Sequence, residues 1–399
     1  MLKGGLVVMV EAFVKPALVK WARGRERLTL ERAAQLINVK PDRWDSWERG
    51  IARPTFRQAQ NLAHKLNVPF GYLFLSAPPS EVLPLPDLRT IANRPPASPS
   101  PELFDLLQDV LRKQEWYREY QENEGASPVP FIGRYSLSDD PNRIAANIRD
   151  TLGVNEEVRH KARTWQDFLR LLIRQAEDAG VLVLRSGVVG NNPHRKLDVD
   201  EFRGFAISDD LAPLAFINAQ DWKTAQIFTL VHEVAHLWIG ESGISNLDYR
   251  RRSSQQQNRI DRLCDQVAAE TLVPSDDFVP RWVDENTVEE NLQALATRYR
   301  VSQFVVLRRA YENDKLTSAQ YWSCYDQLEA KVTGRGTQGG GNFYANLLAR
   351  NSRTFTFALL EATAEGRVPY RDAARLLNIK LKTFDSAYDH LLAGGLADA

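Results

Sequence analysis

The chain has 399 residues, 43% hydrophobic and 26% charged, a profile of soluble globular proteins and long enough for two or three domains. Lys+Arg and Asp+Glu balance at 51 each, so the protein as a whole is no polyelectrolyte, and any attraction to nucleic acid must come from a local surface. Cys264 and Cys324 are too few for a disulfide framework or a CxxC zinc ribbon, which points to a reducing, cytoplasmic setting. The apolar stretch from Leu6 to Val10 is shorter than a signal-peptide core, and no other run approaches about 18 apolar residues, so no membrane partner is expected.

In chain order, residues 15 to 75 read as five short helices, with breaks at Gly24, at Asn38 to Pro41, at Gly50 to Pro54 and at Asn67 to Pro69. Twelve Lys/Arg against five acids between Lys15 and Lys65 leave a local net charge of +7. That is the footprint of a phosphate-binding surface. A proline-rich stretch from Ala77 to Leu103 then reads as an extended linker. Helical patterning covers Pro101 to about Glu122 and much of 141 to 180.

The pattern changes after residue 180. Val181 to Leu184, Phe202 to Ser208 and Leu214 to Asn218 read as strands, followed by a helix from about Thr224 to Trp238. Further helices are expected over about 256 to 273, ending at Pro274, and over about 287 to 312. The glycine-rich run Gly334 to Asn342 lacks phosphate-loop spacing and reads as a connector into a helical C-terminal region. Strands followed by helices predict an α+β middle domain between two helical parts. The expected domains are 12–76, a linker at 77–103, a body at 104–315 with a helical lead-in, and a C-terminal region at 316–399. One internal similarity stands out: Ala33, Ala34, Leu36, Asn38, Val39 and Lys40 recur as Ala373, Ala374, Leu376, Asn378, Ile379 and Lys380.

The chemistry concentrates in HEVAH. On a helix, His232 and His236 share a face and can grip one ion, while Glu233 is placed to move a proton to and from water at the open coordination position. The apolar residues Ile227, Phe228, Leu230, Val231, Val234 and Ala235 cluster on the other side, so the two histidines are expected to face a cleft. A catalytic zinc needs a third protein ligand. Asp261, at the edge of the apolar stripe of IDRLCDQVAAETLVP, is the first candidate, with Glu241, Asp248 and Glu270 as competitors. Asp265, one turn further, is placed to orient His232 or His236, and Cys264 falls in the apolar stripe.

FRGFAISDD, APLAFIN, FTLVHEVAHLWIG and IDRLCDQVAAETLVP, in this order, resemble the ImmA/IrrE-type zinc metallopeptidases. The resemblance covers 200 to 275 specifically and 160 to 310 loosely. It implies a zincin-like α+β fold, a Zn2+ cofactor, and an endopeptidase that cleaves a repressor protein. In that family a glutamate usually stands at the position of Asp261. Aspartate is one methylene shorter, so its helix must sit closer. The strand at Arg203 to Ile207 is expected to offer an edge to an extended peptide.

Residues 15 to 75 resemble Xre-type helix-turn-helix domains through LTLERAAQLINV, KPDRWDSWERG and RPTFRQAQNLAHKLNVP. The resemblance implies a DNA operator as partner, with the helix from about Pro41 to Arg49 in the major groove. Lys40, Arg43, Ser46 and Arg49 would be exposed there, Arg53 would sit at phosphate, Trp47 would be packed inside, and Glu48 would tie the following turn. Asp42 and Asp45 oppose phosphate on the same helix, and a protein-docking role for this module is the alternative. The repeated motif makes 368–392 a candidate second unit of this kind. The composite reading is a transcriptional regulator whose zinc endopeptidase cleaves a repressor, or itself near Pro78 to Pro99. Its rival is a non-catalytic antitoxin that binds a cognate toxin and represses its own promoter. A sensor built on Cys264 is a third, weaker reading. Heads of this kind often dimerise, so a homodimer is a candidate assembly, although no dimer surface is legible.

Overall fold

The computed structural model describes residues 10–85, 99–245, 259–332 and 342–394. Residues up to Val82 form one unit and residues from Leu83 another. Residues 86–98 of the linker expected over 77–103, Asp248, and residues 334–341 of the glycine-rich run lie outside the described residues.

In the first unit, α1 (Pro16–Arg25), α2 (Leu30–Leu36), α3 (Pro41–Glu48) and α4 (Phe56–Lys65) precede a 3-10 turn at Phe70–Phe74. The five expected helical segments are therefore four α-helices and one tighter turn. Thr29 and Thr55 cap α2 and α4 through their hydroxyls, and Thr55 forms a reciprocal capping box with Gln58. Asn38 takes the left-handed conformation (φ 57°) that turns α2 into α3. Val19, Ala22, Ala33, Ala34, Trp44, Trp47 and Leu62 close the core. Trp47 is buried as expected, but Glu48 does not tie the following turn. It accepts Arg23 Nε at 2.6 Å and Trp44 Nε1 at 2.7 Å, pinning α3 to α1 instead.

The first helix of the second unit is α5 (Pro101–Asn123), capped by Ser100, as the helical patterning from Pro101 to about Glu122 predicts, and it overlaps the end of the segment read as linker. It continues with α6 (Pro141–Thr151), α7 (Glu156–Lys161), α8 (Trp165–Asp178), β1 (Leu182–Ser186), β2 (Gly204–Ile207), β3 (Leu214–Asn218), α9 (Ala225–Trp238), β4 (Gly243–Ser245) and α10 (Arg259–Leu272). After α11 (Ser275–Phe278) and a 3-10 turn come α12 (Val288–Tyr299), α13 (Gln303–Glu312) and α14 (Ser318–Val332). The chain closes with α15 (Phe343–Asn351), α16 (Arg353–Ala364), α17 (Tyr370–Leu376) and α18 (Leu381–Gly394). No described helix is long and apolar enough to cross a membrane.

The four strands lie in the order β1-β3-β2-β4, with β1 parallel to β3 and the other pairs antiparallel. Successive residues face opposite sides. Val183, Ala206, Ala215 and Ile217 join the core built on α8, α9 and α10, whereas Leu182, Leu184, Phe205, Leu214 and Phe216 face the other way. The second face is covered by α5 and the C-terminal helices through Leu106, Phe355, Leu359 and Phe384. The C-terminal region is therefore a layer of this unit rather than a separate appendage. Within it, α17 and α18 repeat the α2–α3 connection closely. Asn378 takes the conformation of Asn38 (φ 56°), and Ile379 N–H donates to Ala374 O as Val39 N–H does to Ala34 O, both at 3.0 Å.

One correction concerns peptide docking. β2 is paired on both sides, so Arg203 to Ile207 offers no edge; among the described strands the outer one next to it is β4. Register and strand order are tertiary properties that the alternating pattern does not encode.

Three arginines satisfy the last carbonyls of α10, where a helix leaves acceptors unpaired and favours positive charge. Arg149 Nη1 donates to Glu270 O at 2.7 Å, Arg159 Nη1 to Leu272 O at 2.6 Å, and Arg309 Nε to Val273 O at 2.9 Å. Burial pulls the Arg159 guanidinium down to about 10. Arg159→Met leaves buried carbonyls unpaired and is expected to cost about 1–3 kcal/mol of stability in denaturant unfolding. An unchanged midpoint would contradict this role.

Candidate metal centre

α9 is apolar for most of its length and is buried on every side: all residues from Gln226 to Trp238 are buried. The expectation that His232 and His236 face a cleft is corrected here, because both, and Glu233, have 0% exposure. A helical wheel separates the two faces of α9 but does not show what covers the polar one. Small residues bring the helix close to the sheet. Gly204, Ala206 and Ala215 offer little or no side chain towards it, and a Cβ on Gly204 would stand 2.5 Å from Glu233 Oε1. At the far end Gly240, at φ 73°, ends the helix in the left-handed conformation and passes close to Gly133.

One turn apart on α9, His232 Nε2 and His236 Nε2 lie 3.2 Å from each other. α10 packs across them and places Asp261 Oδ1 3.8 Å from His232 Nε2 and 3.5 Å from His236 Nε2. These three are the metal-capable cluster among the described residues. A tetrahedral zinc with bonds of about 2.0–2.1 Å holds its ligands about 3.3–3.4 Å apart. The triangle of 3.2, 3.5 and 3.8 Å therefore fits such an ion, and the shorter aspartate is met by the closeness of α10. The donor chemistry agrees: two imidazole nitrogens and a carboxylate oxygen suit zinc. Unsatisfied buried atoms point the same way, for Asp261 Oδ1, both Glu233 carboxylate oxygens and His236 Nδ1 find no hydrogen-bond partner of good geometry.

Asp265, also on α10, brings Oδ1 to 3.0 Å from His232 Nδ1. A proton held there leaves the Nε2 lone pair turned towards Asp261. The expected orienting role thus falls on His232 rather than His236. Arg308, on α13, supports it from behind, with Nη1 3.4 Å from Asp265 Oδ2. Ser245, at the end of β4, places Oγ 3.3 Å from His236 Nε2. Neither Arg308 nor Ser245 carries a sequence signal, since only the packing of α13 and β4 brings them near.

Without an ion, the charges in this cluster oppose one another. Burial would lower the His232 imidazole, but Asp261 and Asp265 against its two nitrogens overrule burial and push it up to about 10. Burial, reinforced by the neighbouring aspartates, pushes the Glu233 carboxyl up to about 8. Burial also pushes Asp261 up, yet the two imidazoles hold it below the usual carboxylate range. Three carboxylates around two histidines make a buried pocket suited to a divalent cation.

Of the competitors, Asp248 lies outside the described residues and the other two are placed elsewhere. Glu270 pairs with Arg309 and accepts Ser275 N–H at 3.1 Å, and Glu241 is not part of the cluster. Cys264 is fully buried in the core, its thiol raised well above normal by burial. On the first unit, Lys40, Arg43, Arg49 and Arg53 are exposed, whereas Ser46 is half-buried and its hydroxyl donates to Arg43 O at 2.6 Å. Arg49 leans on Asp45 at 3.4 Å, and Arg53 stacks over Phe13 at 4.1 Å.

Residues 176–311 match the model of peptidase family M78, described as an IrrE N-terminal-like domain. Residues 351–390 match a family described only as a domain of unknown function. No curated protein matched the chain. The segment holding β1 to α13, and with it His232, Glu233, His236, Asp261 and Asp265, is thus similar to IrrE-type metallopeptidase domains.

Proposed function

We propose that this chain is a transcriptional regulator whose second unit is a zinc-dependent endopeptidase acting on a repressor protein or on the chain itself. The observation that carries the reading is the buried His232–His236–Asp261 triangle with Glu233 beside it and unpartnered. His232, His236 and Asp261 would hold the zinc, which supplies Lewis acidity to water and to the peptide carbonyl. Glu233 takes a proton from the attacking water on a carboxylate oxygen and passes it to the leaving amine. Asp265 keeps the His232 proton on Nδ1, with Arg308 holding Asp265 in place. An extended peptide adding to β4 would lie beside Ser245 and His236.

A test is cleavage of candidate repressors by the purified protein. Glu233→Ala is expected to lose at least about 100-fold in rate, the scale of a general acid–base contribution. Equal cleavage by the variant would overturn the reading.

Complete burial of Glu233 supports the second reading, an antitoxin that silences a toxin by binding. Glu233→Ala separates the two, because toxin neutralisation in cells survives that change and proteolysis does not.

The first unit is proposed to hold operator DNA through Lys40, Arg43, Arg49 and Arg53. Its local charge of +7 and the exposure of these side chains support the proposal. Ser46, tied to its own helix, is the weakest of the five candidates. Arg43→Ala is expected to weaken duplex binding and to lower the slope of log K against log salt by about 1. An unchanged slope and affinity would remove Arg43 from the interface.

A further inference from the structure

A cavity of about 1100 Å3 lies between α8, β1 and the helices α15, α16 and α18, and none of the metal-capable residues lines it. Its walls carry Lys161, Arg163, Arg170, Arg174, Arg185 and Arg353 against two acids, Asp167 and Glu177. Both acids are already engaged. Asp167 pairs with Arg170 and caps α8 through Thr164, and Glu177 accepts the Ser352 hydroxyl and the Arg353 N–H. Arg163, Arg174, Arg185 and Arg353 form no ion pair among the described residues.

Arg185 is the most telling of these. It sits on β1 facing this cavity, its Nε is buried without an acceptor, and among the described residues its side chain's hydrogen bond goes to the neutral Gln226 at 3.2 Å. Burial lowers its pKa, and the Arg170 cation pushes the same way. Arg353 Nε is likewise buried and unmatched. A guanidinium set into the protein with no carboxylate paired to it is costly unless an anion completes it. The rest of the wall is apolar, with Leu171, Ile173, Val183 and Leu348, and carries Tyr344 stacked on His390 at 3.7 Å.

We propose that this cavity binds a small organic polyphosphate of nucleotide size, its phosphates on the arginines and its flat, less polar part against the apolar wall. Concavity and apolar lining favour a compact ligand over a nucleic-acid backbone, which tracks an open charged groove. The planar forks of Arg185 and Arg353 suit phosphate oxygens. Gln226 belongs to the first turn of α9, so the ligand would contact the same helix that carries HEVAH.

The experiment is calorimetric titration of the full-length protein with ADP and, separately, with pyrophosphate. ADP is expected to bind saturably at about one per chain and more tightly than pyrophosphate. Arg185→Gln should weaken ADP at least about tenfold, the effect of losing one charge-assisted contact. Arg174→Gln, at an exposed position, should weaken it several-fold with an unchanged melting temperature. Failure of ADP to saturate by millimolar concentration would overturn the proposal, as would affinity untouched by both variants. Binding of a 20-base-pair duplex through Arg174 and Arg185 in place of ADP would overturn it too, and make this face a nucleic-acid surface.

Discussion

Gly204→Val is expected to abolish proteolysis while the chain still folds and still takes up metal. A Cβ at this position would meet Glu233 Oε1 at 2.5 Å, Thr229 Cγ2 at 2.8 Å and Phe216 O at 2.9 Å. Phe216 O belongs to the partner strand and cannot swing away, so the carboxylate and helix α9 must yield. Overpacking of this kind costs about 1–3 kcal/mol of stability, which a unit this large can survive. The greater effect falls on Glu233, whose carboxylate is displaced from beside the histidine pair. Loss of activity should therefore approach that of Glu233→Ala, at least about 100-fold, and zinc content should stay near that of the unmodified protein. A Gly204→Val protein as active as the parent would show that Glu233 has room the structure does not give it.

Chelation is expected to be the second large effect. An ion bound by His232, His236 and Asp261 ties α9 to α10, and nothing equivalent exists in the unfolded chain. With free zinc at a thousand times its dissociation constant, binding adds about 4 kcal/mol, and the melting temperature of the loaded protein should fall by several degrees on adding a chelator. Asp261→Ala should melt near the chelated value and should not respond to zinc. If chelator leaves the parent protein unmoved, the triangle holds no ion that matters to folding. Arg308→Ala is a milder case, since it loosens Asp265 without touching a ligand.

Much of this site was legible from the order of residues alone. The i, i+4 spacing of His232 and His236 fixes their common face on any helix, and Asp261 and Asp265 are likewise one turn apart on theirs. The place of Asp261 at the edge of the apolar stripe, together with the family resemblance, suggested bringing the second pair to the first, and α10 sits close enough for aspartate to reach. Gly204, Ser245 and Arg308 were invisible because each matters through a contact made across the fold. The same cause explains the errors. β2 was taken for an edge, although its partners on both sides are set by tertiary pairing. The polar face of α9 was expected to face a cleft, although it is buried under other elements. Glu48 was assigned to the nearest turn, although Arg23 fixes it to α1 and Trp44 holds it within its own helix. The repeated Ala-Ala-x-Leu-x-Asn motif was visible and reappears as the same left-handed turn at Asn38 and Asn378. Packing of the second copy onto the body, with Asn378 Nδ2 donating to Asp109 Oδ2 at 2.7 Å, was not.

The metal content of the purified full-length protein, measured for the parent, His236→Ala and Asp261→Ala, tests the central claim most directly. One zinc per chain in the parent, lost in both variants, is the result this account predicts. No zinc in the parent after reconstitution, or full zinc in His236→Ala, would contradict it and leave a DNA-binding or toxin-binding protein that merely retains the shape of a peptidase.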